Sequence, residues 1–224
     1  MILAKFPRPG AVKTRLATTI GNEAASNIAQ TFLLDSVSRY CKIKGIRLVI
    51  NASHDDEPQE FYDLFLRHGL PTKKMAVIVP KTGSMRGDIL AAYTDVLKTS
   101  GKAVSITADT PHFSTEMIAA LFKALGKHDL VFHPTTDGGA SPHGMRKAYD
   151  LFSNMPDRSI DYMGEWLKRI EAMNLSFLMF EPVFDIDTFA DLRMFYHWQC
   201  LLERSGDLRR ICPRTLAFLK DLFV

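Results

Sequence analysis

Two sets of residues in this chain carry chemistry. Asp109, Asp137, Asp185 and Asp187 lie just beyond short apolar runs, and Lys5, Arg8, Lys13 and Arg15 crowd one loop near the start. Carboxylates projected from strand ends hold hard cations such as Mg²⁺, which take oxygen ligands and usually share them with substrate phosphates. Lysine and arginine bind phosphate oxygens directly through charge-assisted hydrogen bonds. The two sets together point to work on a phosphorylated ligand.

The cationic loop spans Lys5-Phe6-Pro7-Arg8-Pro9-Gly10-Ala11-Val12-Lys13-Thr14-Arg15 and contains no acid. Pro7 and Pro9 stiffen it, and Gly10 permits a turn that other residues resist. Its charges have little reason to gather unless an anion sits among them. Gly-x-x-Lys-Thr invites comparison with a phosphate-binding P-loop, but that motif needs a glycine immediately before the lysine. Val12 stands there, which excludes a P-loop ATPase. What remains is a set of backbone donors and two cations, Lys13 and Arg15, facing a diphosphate.

The acids follow in order. Asp109, in Thr107-Ala108-Asp109-Thr110-Pro111, sits where a strand gives way to a turn. That placement suits a metal ligand. Asp137 precedes Gly138 and Gly139, glycines that let backbone approach a ligand closely. Its carboxylate could accept from a sugar hydroxyl, assist the cation or deprotonate an acceptor. Asp185 and Asp187 are two apart, so in extended chain they point to one side, where they repel unless a cation or base lies between them. Thr188 with Asp191 reads as a capping box that starts a helix. In the stretch Lys81-Thr82-Gly83-Ser84-Met85-Arg86-Gly87-Asp88, two glycines and two cations precede a helix, which makes Arg86 a candidate anion ligand. His112, His133 and His143 lack metal-ligand spacing and read as packing or hydrogen-bonding residues. The chain has no G-x-S-x-G of an α/β-hydrolase and no G-x-G-x-x-G after its first strand.

These residues need a scaffold. Strands are expected over 2–5, 47–51, 75–79, 103–107, 130–133 and 177–180, and helices over 22–41, 58–68, 88–99, 114–125, 161–173 and 188–203. The helix over 22–41 has the clearest i, i+3, i+4 apolar spacing, with Asn22 as its expected N-cap. Such alternation implies a three-layer α/β/α fold with a mostly parallel sheet covered on both faces. Ligands then bind beyond the carboxyl ends of the strands. Residues 1–203 are expected to form the domain and 204–224 a helical tail of it, packed outside or against another subunit in a homodimer. At 224 residues and 46% hydrophobic the chain can bury a sizeable core. A net charge of +3 does not argue for nucleic acid. Three cysteines without C-x-x-C argue against a disulfide framework or zinc site and fit a cytoplasmic protein. No apolar run approaches the roughly 20 residues that span a bilayer.

The opening pattern A-K-x-P-x-P-G-x-V-K-T-R-L resembles that of bacterial glycosyltransferase-like proteins of the nucleotide-diphospho-sugar transferase fold, Rossmann-like and of the GT-A type. More distantly the chain is similar to phospholactate guanylyltransferases and molybdenum-cofactor nucleotidyltransferases. The resemblance implies that Lys13 and Arg15 hold nucleotide phosphates and that Lys5, Pro9 and Gly10 shape the same pocket. It implies Mg²⁺ or Mn²⁺ on Asp109, Asp185 and Asp187, and a nucleotide or nucleotide-sugar as ligand. The activity implied is glycosyl transfer, with nucleotidyl transfer or ligand binding without catalysis as alternatives. The family pattern has Gly-Ser before its Asp-Thr-Pro, where this chain has Thr107-Ala108. It has aromatic and aliphatic residues after Asp-Gly-Gly, where this chain has Ala140-Ser141-Pro142-His143.

Overall fold

The computed structural model describes residues 1–155 and 161–223. Its strands are β1 (Ile2–Ala4), β2 (Leu48–Ala52), β3 (Met75–Ile78), β4 (Ala103–Thr107), β5 (Leu130–Pro134), β6 (Ala140–Met145) and β7 (Phe177–Met179). Its α-helices are α1 (Thr14–Ile20), α2 (Asn22–Tyr40), α3 (Pro58–Arg67), α4 (Met85–Leu97), α5 (Thr115–Ala124), α6 (Tyr162–Ala172), α7 (Phe189–Ser205) and α8 (Pro213–Phe223). The strands form a single seven-stranded sheet ordered β3-β2-β1-β4-β6-β5-β7. β1 pairs in parallel with both β2 and β4, so strand order reverses beside it. Every pairing is parallel except those of β6, which runs antiparallel to β4 and β5.

The sheet is covered on both faces because its strands are apolar on both. Ile2, Ile50, Val104, Ile106 and Val131 face one way and pack against α2, α3 and α5. Ala103, Leu130, Phe132 and Met145 face the other and pack on Tyr93 of α4 and on Trp166 and Ile170 of α6. A third cluster joins Leu16 of α1, Ile28 and Phe32 of α2, Leu192 and Phe195 of α7, and Leu219 of α8. The tail therefore closes over α2 and α7 of its own chain.

Three details depart from the sequence reading. The N-cap of α2 is Gly21, at φ 84°, and Asn22 is the first helical residue. The segment after Lys13 is a helix, α1, entered through a left-handed Lys13 at φ 50° with no side-chain cap. Residues 140–145 form strand β6 inside the sheet, although Pro142 removes a donor there. The ladder to β4 accordingly pairs only the 143–145 end of β6. At the other end the Ser141 hydroxyl accepts from the Thr107 N–H at 3.1 Å.

Candidate functional site

A cavity of about 550 Å³ opens at the carboxyl ends of β1, β2 and β4, beside the reversal of strand order. Its charged wall comprises Lys5, Lys13, Arg15, Asp109 and Asp187. Met85, Ile89, Phe152 and Tyr162 form an apolar wall, and Asn51, Ser53 and His54 enter from the end of β2. This is where the strand topology directs a ligand.

Lys13 is the centre of the charged wall. Its side chain is only 4% exposed. The ammonium lies 2.9 Å from Asp109 Oδ1 and 2.9 Å from Asp187 Oδ1, and donates to the Ile186 carbonyl at 2.6 Å. It also stands 5.8 Å from the centre of the Phe32 ring. Burial works against its charge, but Asp109 and Asp187 outweigh burial and raise the pKa above the ordinary lysine value. The left-handed backbone at Lys13, just before α1, turns this side chain inward. Arg15 sits one residue beyond Thr14, is 67% exposed, and reaches Asp187 Oδ2 at 2.6 Å.

Chain segments far apart in sequence are locked at this point. The Ile186 N–H donates to the Asp109 carbonyl at 3.2 Å, so the end of β4 and the segment after β7 run side by side. Asp191, from the first turn of α7, accepts from the N–H groups of Thr188 and Asp187 at 2.8 and 3.2 Å. The capping box expected at Thr188 is present and holds Asp187 in place. Asp185 is the most perturbed acid. Burial, then repulsion from Asp109, Asp137 and Asp187, push its pKa up to about 7, against a smaller opposing pull from Lys13. Its Oδ1 is buried and has no hydrogen-bond partner.

The acids missing from the opening loop are supplied by the rest of the chain. Arg8 bonds Asp56 at 2.7 Å and also pairs with Glu60 of α3, so it anchors the loop to that helix. Lys13 and Arg15 meet Asp109 and Asp187. The clustering of cations therefore has an internal partner, which corrects the expectation that only a ligand would explain it.

Other predicted residues fall outside the cavity lining. Pro9 and Gly10 form the turn of the loop, Gly10 at φ 75°, while residues 11–15 line the cavity. Asp137 spends one oxygen on its own turn, accepting from Thr135 Oγ1 and from the Gly139 N–H at 3.1 Å. Gly138 supplies the positive φ of that turn at 89°. A Cβ on Gly139 would come within 2.8 Å of Thr135 Oγ1. Arg86 donates to the Met155 carbonyl and lies 5.4 Å above the Tyr162 ring. The helix end where it was expected to receive an anion is capped by Ser84, which accepts from the Gly87 N–H.

Sequence reasoning missed Asn51, His54 and Asp88. Asn51 is 5% exposed, and its Oδ1 is buried without a partner at the cavity wall. Asp88 accepts from the Thr82 N–H and hydroxyl at 2.9 and 2.8 Å and lies 3.6 Å from His54 Nδ1. An asparagine ending an apolar strand was the one available signal. Of the three histidines set aside, His143 lines the cavity yet packs on Tyr93, Phe152 and Trp166, and burial lowers its pKa to about 3. His112 stacks on Phe184 and is likewise lowered to about 3 by burial.

Among the described residues no group of three or more His, Cys, Asp or Glu forms a ready cage for a metal ion. Two carboxylates plus ligand phosphates suffice for Mg²⁺. Asp109 and Asp187, with the orphaned oxygen of Asp185 behind them, match that donor chemistry.

The profile of a protein family described as "Uncharacterized protein conserved in bacteria (DUF2064)" matches residues 38–157. No curated protein matches the chain. Among solved structures, a provisionally assigned nucleotide-diphospho-sugar transferase from Desulfovibrio desulfuricans G20 is similar at a TM-score of 0.85 and 22% identity, covering 98% of this chain and 92% of that one. A cytidylyltransferase from Leptospira borgpetersenii serovar Hardjo-bovis gives 0.54 at 10% identity, covering 93% and 94%. A 4-diphosphocytidyl-2C-methyl-D-erythritol synthase from Anaerococcus prevotii DSM 20548 gives 0.52 at 15% identity, covering 86% and 94%. The shared property is the fold, that of the nucleotide-diphospho-sugar transferases.

Proposed function

The chain belongs to the DUF2064 family, and from that premise we propose that it is a nucleotide-dependent transferase whose cleft holds the phosphates of a nucleotide against Lys13 and Arg15. The observation that carries this reading is the buried Lys13 ammonium, held 2.9 Å from two carboxylates at the reversal of strand order. A lysine so placed can exchange carboxylate for phosphate oxygens without crossing solvent. Arg15, exposed at the rim, is available to a phosphate further out. Asn51, with its free carbonyl oxygen, would accept from an N–H of the ligand's base. Asp109 and Asp187, together with the ligand's phosphates, would hold Mg²⁺ or Mn²⁺, which neutralises phosphate charge when bound.

Nucleotidyl transfer is the reaction we favour, supported by the cytidylyltransferases among the structural neighbours. An acceptor phosphate oxygen would form a bond to the α-phosphorus of a nucleoside triphosphate. The bond from that phosphorus to the bridging oxygen would break, and pyrophosphate would leave with the electron pair. Lys13 and Arg15 would stabilise the charge gathering on the leaving group. Glycosyl transfer from a sugar nucleotide uses the same cations on a departing nucleoside diphosphate. The match to the provisionally assigned nucleotide-diphospho-sugar transferase supports that second reading. Product analysis separates the two. Pyrophosphate released from a triphosphate supports the first; nucleoside diphosphate released from a sugar nucleotide supports the second. Absence of both, across broad donor and acceptor panels, would remove the enzyme reading and leave a binding protein.

A further inference from the structure

The end of the sheet opposite the cleft carries a different kind of charge. The parallel strands all start there, so the segments leading into them share one end of the molecule. Lys42, Lys44 and Arg47 precede β2, Lys73 and Lys74 precede β3, and Lys102 precedes β4. All but Lys102 are exposed. Residues 43–46 form a ridge between two cavities of about 810 and 560 Å³, and neither cavity is lined by an aspartate or glutamate. Ile43 and Ile46 stand half-buried on that ridge on either side of Gly45, which turns it at φ 77°. Arg214 beside them is tied to Asp35 at 3.6 Å. Lys42, Lys44, Arg47, Lys73 and Lys74 form no ion pair among the described residues.

We propose that this end docks the protein on an anionic membrane surface, with the cleft at the carboxyl ends of the strands facing away from the bilayer. The inference does not rest on the transferase reading. A pocket for a small anion gathers buried, converging cations. Here the cations are exposed and long, and spread over the two connections that lead into β2 and β3. That suits a broad, diffuse negative charge, to which each lysine or arginine adds attraction within a screening length. Ile43 and Ile46, set among the cations, give the ridge apolar surface that can settle at the headgroup boundary. Among the described residues no helix is long and apolar enough to cross a membrane.

The test is sedimentation of the full chain with phosphatidylcholine vesicles, with and without phosphatidylglycerol, at low and high salt. Binding is expected only to the anionic vesicles and should be lost at high salt. K42A/K44A/R47A should weaken it by roughly a hundredfold, about fivefold per cation, while the stabilisation of the fold by nucleotide stays unchanged. Ile46→Ser should weaken it at low salt. Equal binding to neutral vesicles, no vesicle binding, or a triple variant that still sediments would overturn the proposal. Soluble polyphosphate captured more tightly than vesicles would overturn it too, in favour of a soluble polyanion.

Discussion

Lys13 is the residue on which the site turns. A buried ammonium between two carboxylates is costly to assemble, and removing one member leaves the others unbalanced. Asp185 adds a further, half-buried acid to the same place, and it carries a pH signature. Its pKa is raised from 3.8 to about 7. The folded state therefore holds this proton more tightly than the unfolded chain does. The stability linked to that proton is fully present below about pH 4 and is lost as pH rises through 7. Asp185→Asn should consequently be more stable than the natural protein above pH 7, by about 1–2 kcal/mol after allowing for partial solvation. The advantage should shrink to nothing toward pH 4. Urea unfolding at pH 5 and pH 8 checks this; an advantage independent of pH would mean that Asp185 titrates alike in the folded and unfolded chain. Part of this residue-scale picture was legible beforehand. Lys13, Arg15, Asp109 and Asp187 were recognisable because cations followed a Pro/Gly loop and acids followed apolar strands. The binding of Arg8 to Asp56 and Glu60 was not, because nothing local in a loop records the charge of a helix some fifty residues on.

At the scale of elements, strong periodicity was readable and irregular backbone was not. The run at 103–107 is the same in expectation and structure, since a short apolar stretch bounded by a turn has one reading. Strand β6 was hidden because proline, glycine and serine argue against a strand. It exists because its neighbours fit it. A Cβ on Gly144 would lie 2.9–3.1 Å from Leu125, Val104 and Val131, so β6 fits between β4 and β5 beneath the end of α5 only without a side chain there. Gly144→Ala should cost about 1–3 kcal/mol through overpacking, measured by denaturant unfolding; a neutral result would mean that β6 can shift freely. The start of α7 is the element that supports the site. Thr188→Ala should remove about 1 kcal/mol through loss of the cap. Because Asp191 also holds the Asp187 N–H, the same variant should weaken nucleotide binding. A stability loss with unchanged binding would separate Asp187 from the cap.

At the scale of the whole molecule, the order of the strands decides where chemistry can occur. Reversal beside β1 opens the cleft between β1 and β4, and the segment after β7 returns across the sheet to place Asp187 opposite Asp109. That return could not be read from the sequence, because no local signal tells which strands are neighbours. The tail over 204–224 was legible as a helix after Pro213, but its packing on α2 and α7 came only with the fold. Cations thus gather at both ends of the molecule, around the buried Lys13 paired with Asp109 and Asp187 at one end and over an exposed ridge at the other.

Calorimetric titration of nucleoside triphosphates and sugar nucleotides, with Mg²⁺, into the natural protein and into Lys13→Ala tests the central claim most directly. Loss of one charge-assisted contact should weaken binding about 10–100-fold. Equal affinity in the two proteins would show that no phosphate rests on Lys13, and the proposed cleft would have to be abandoned.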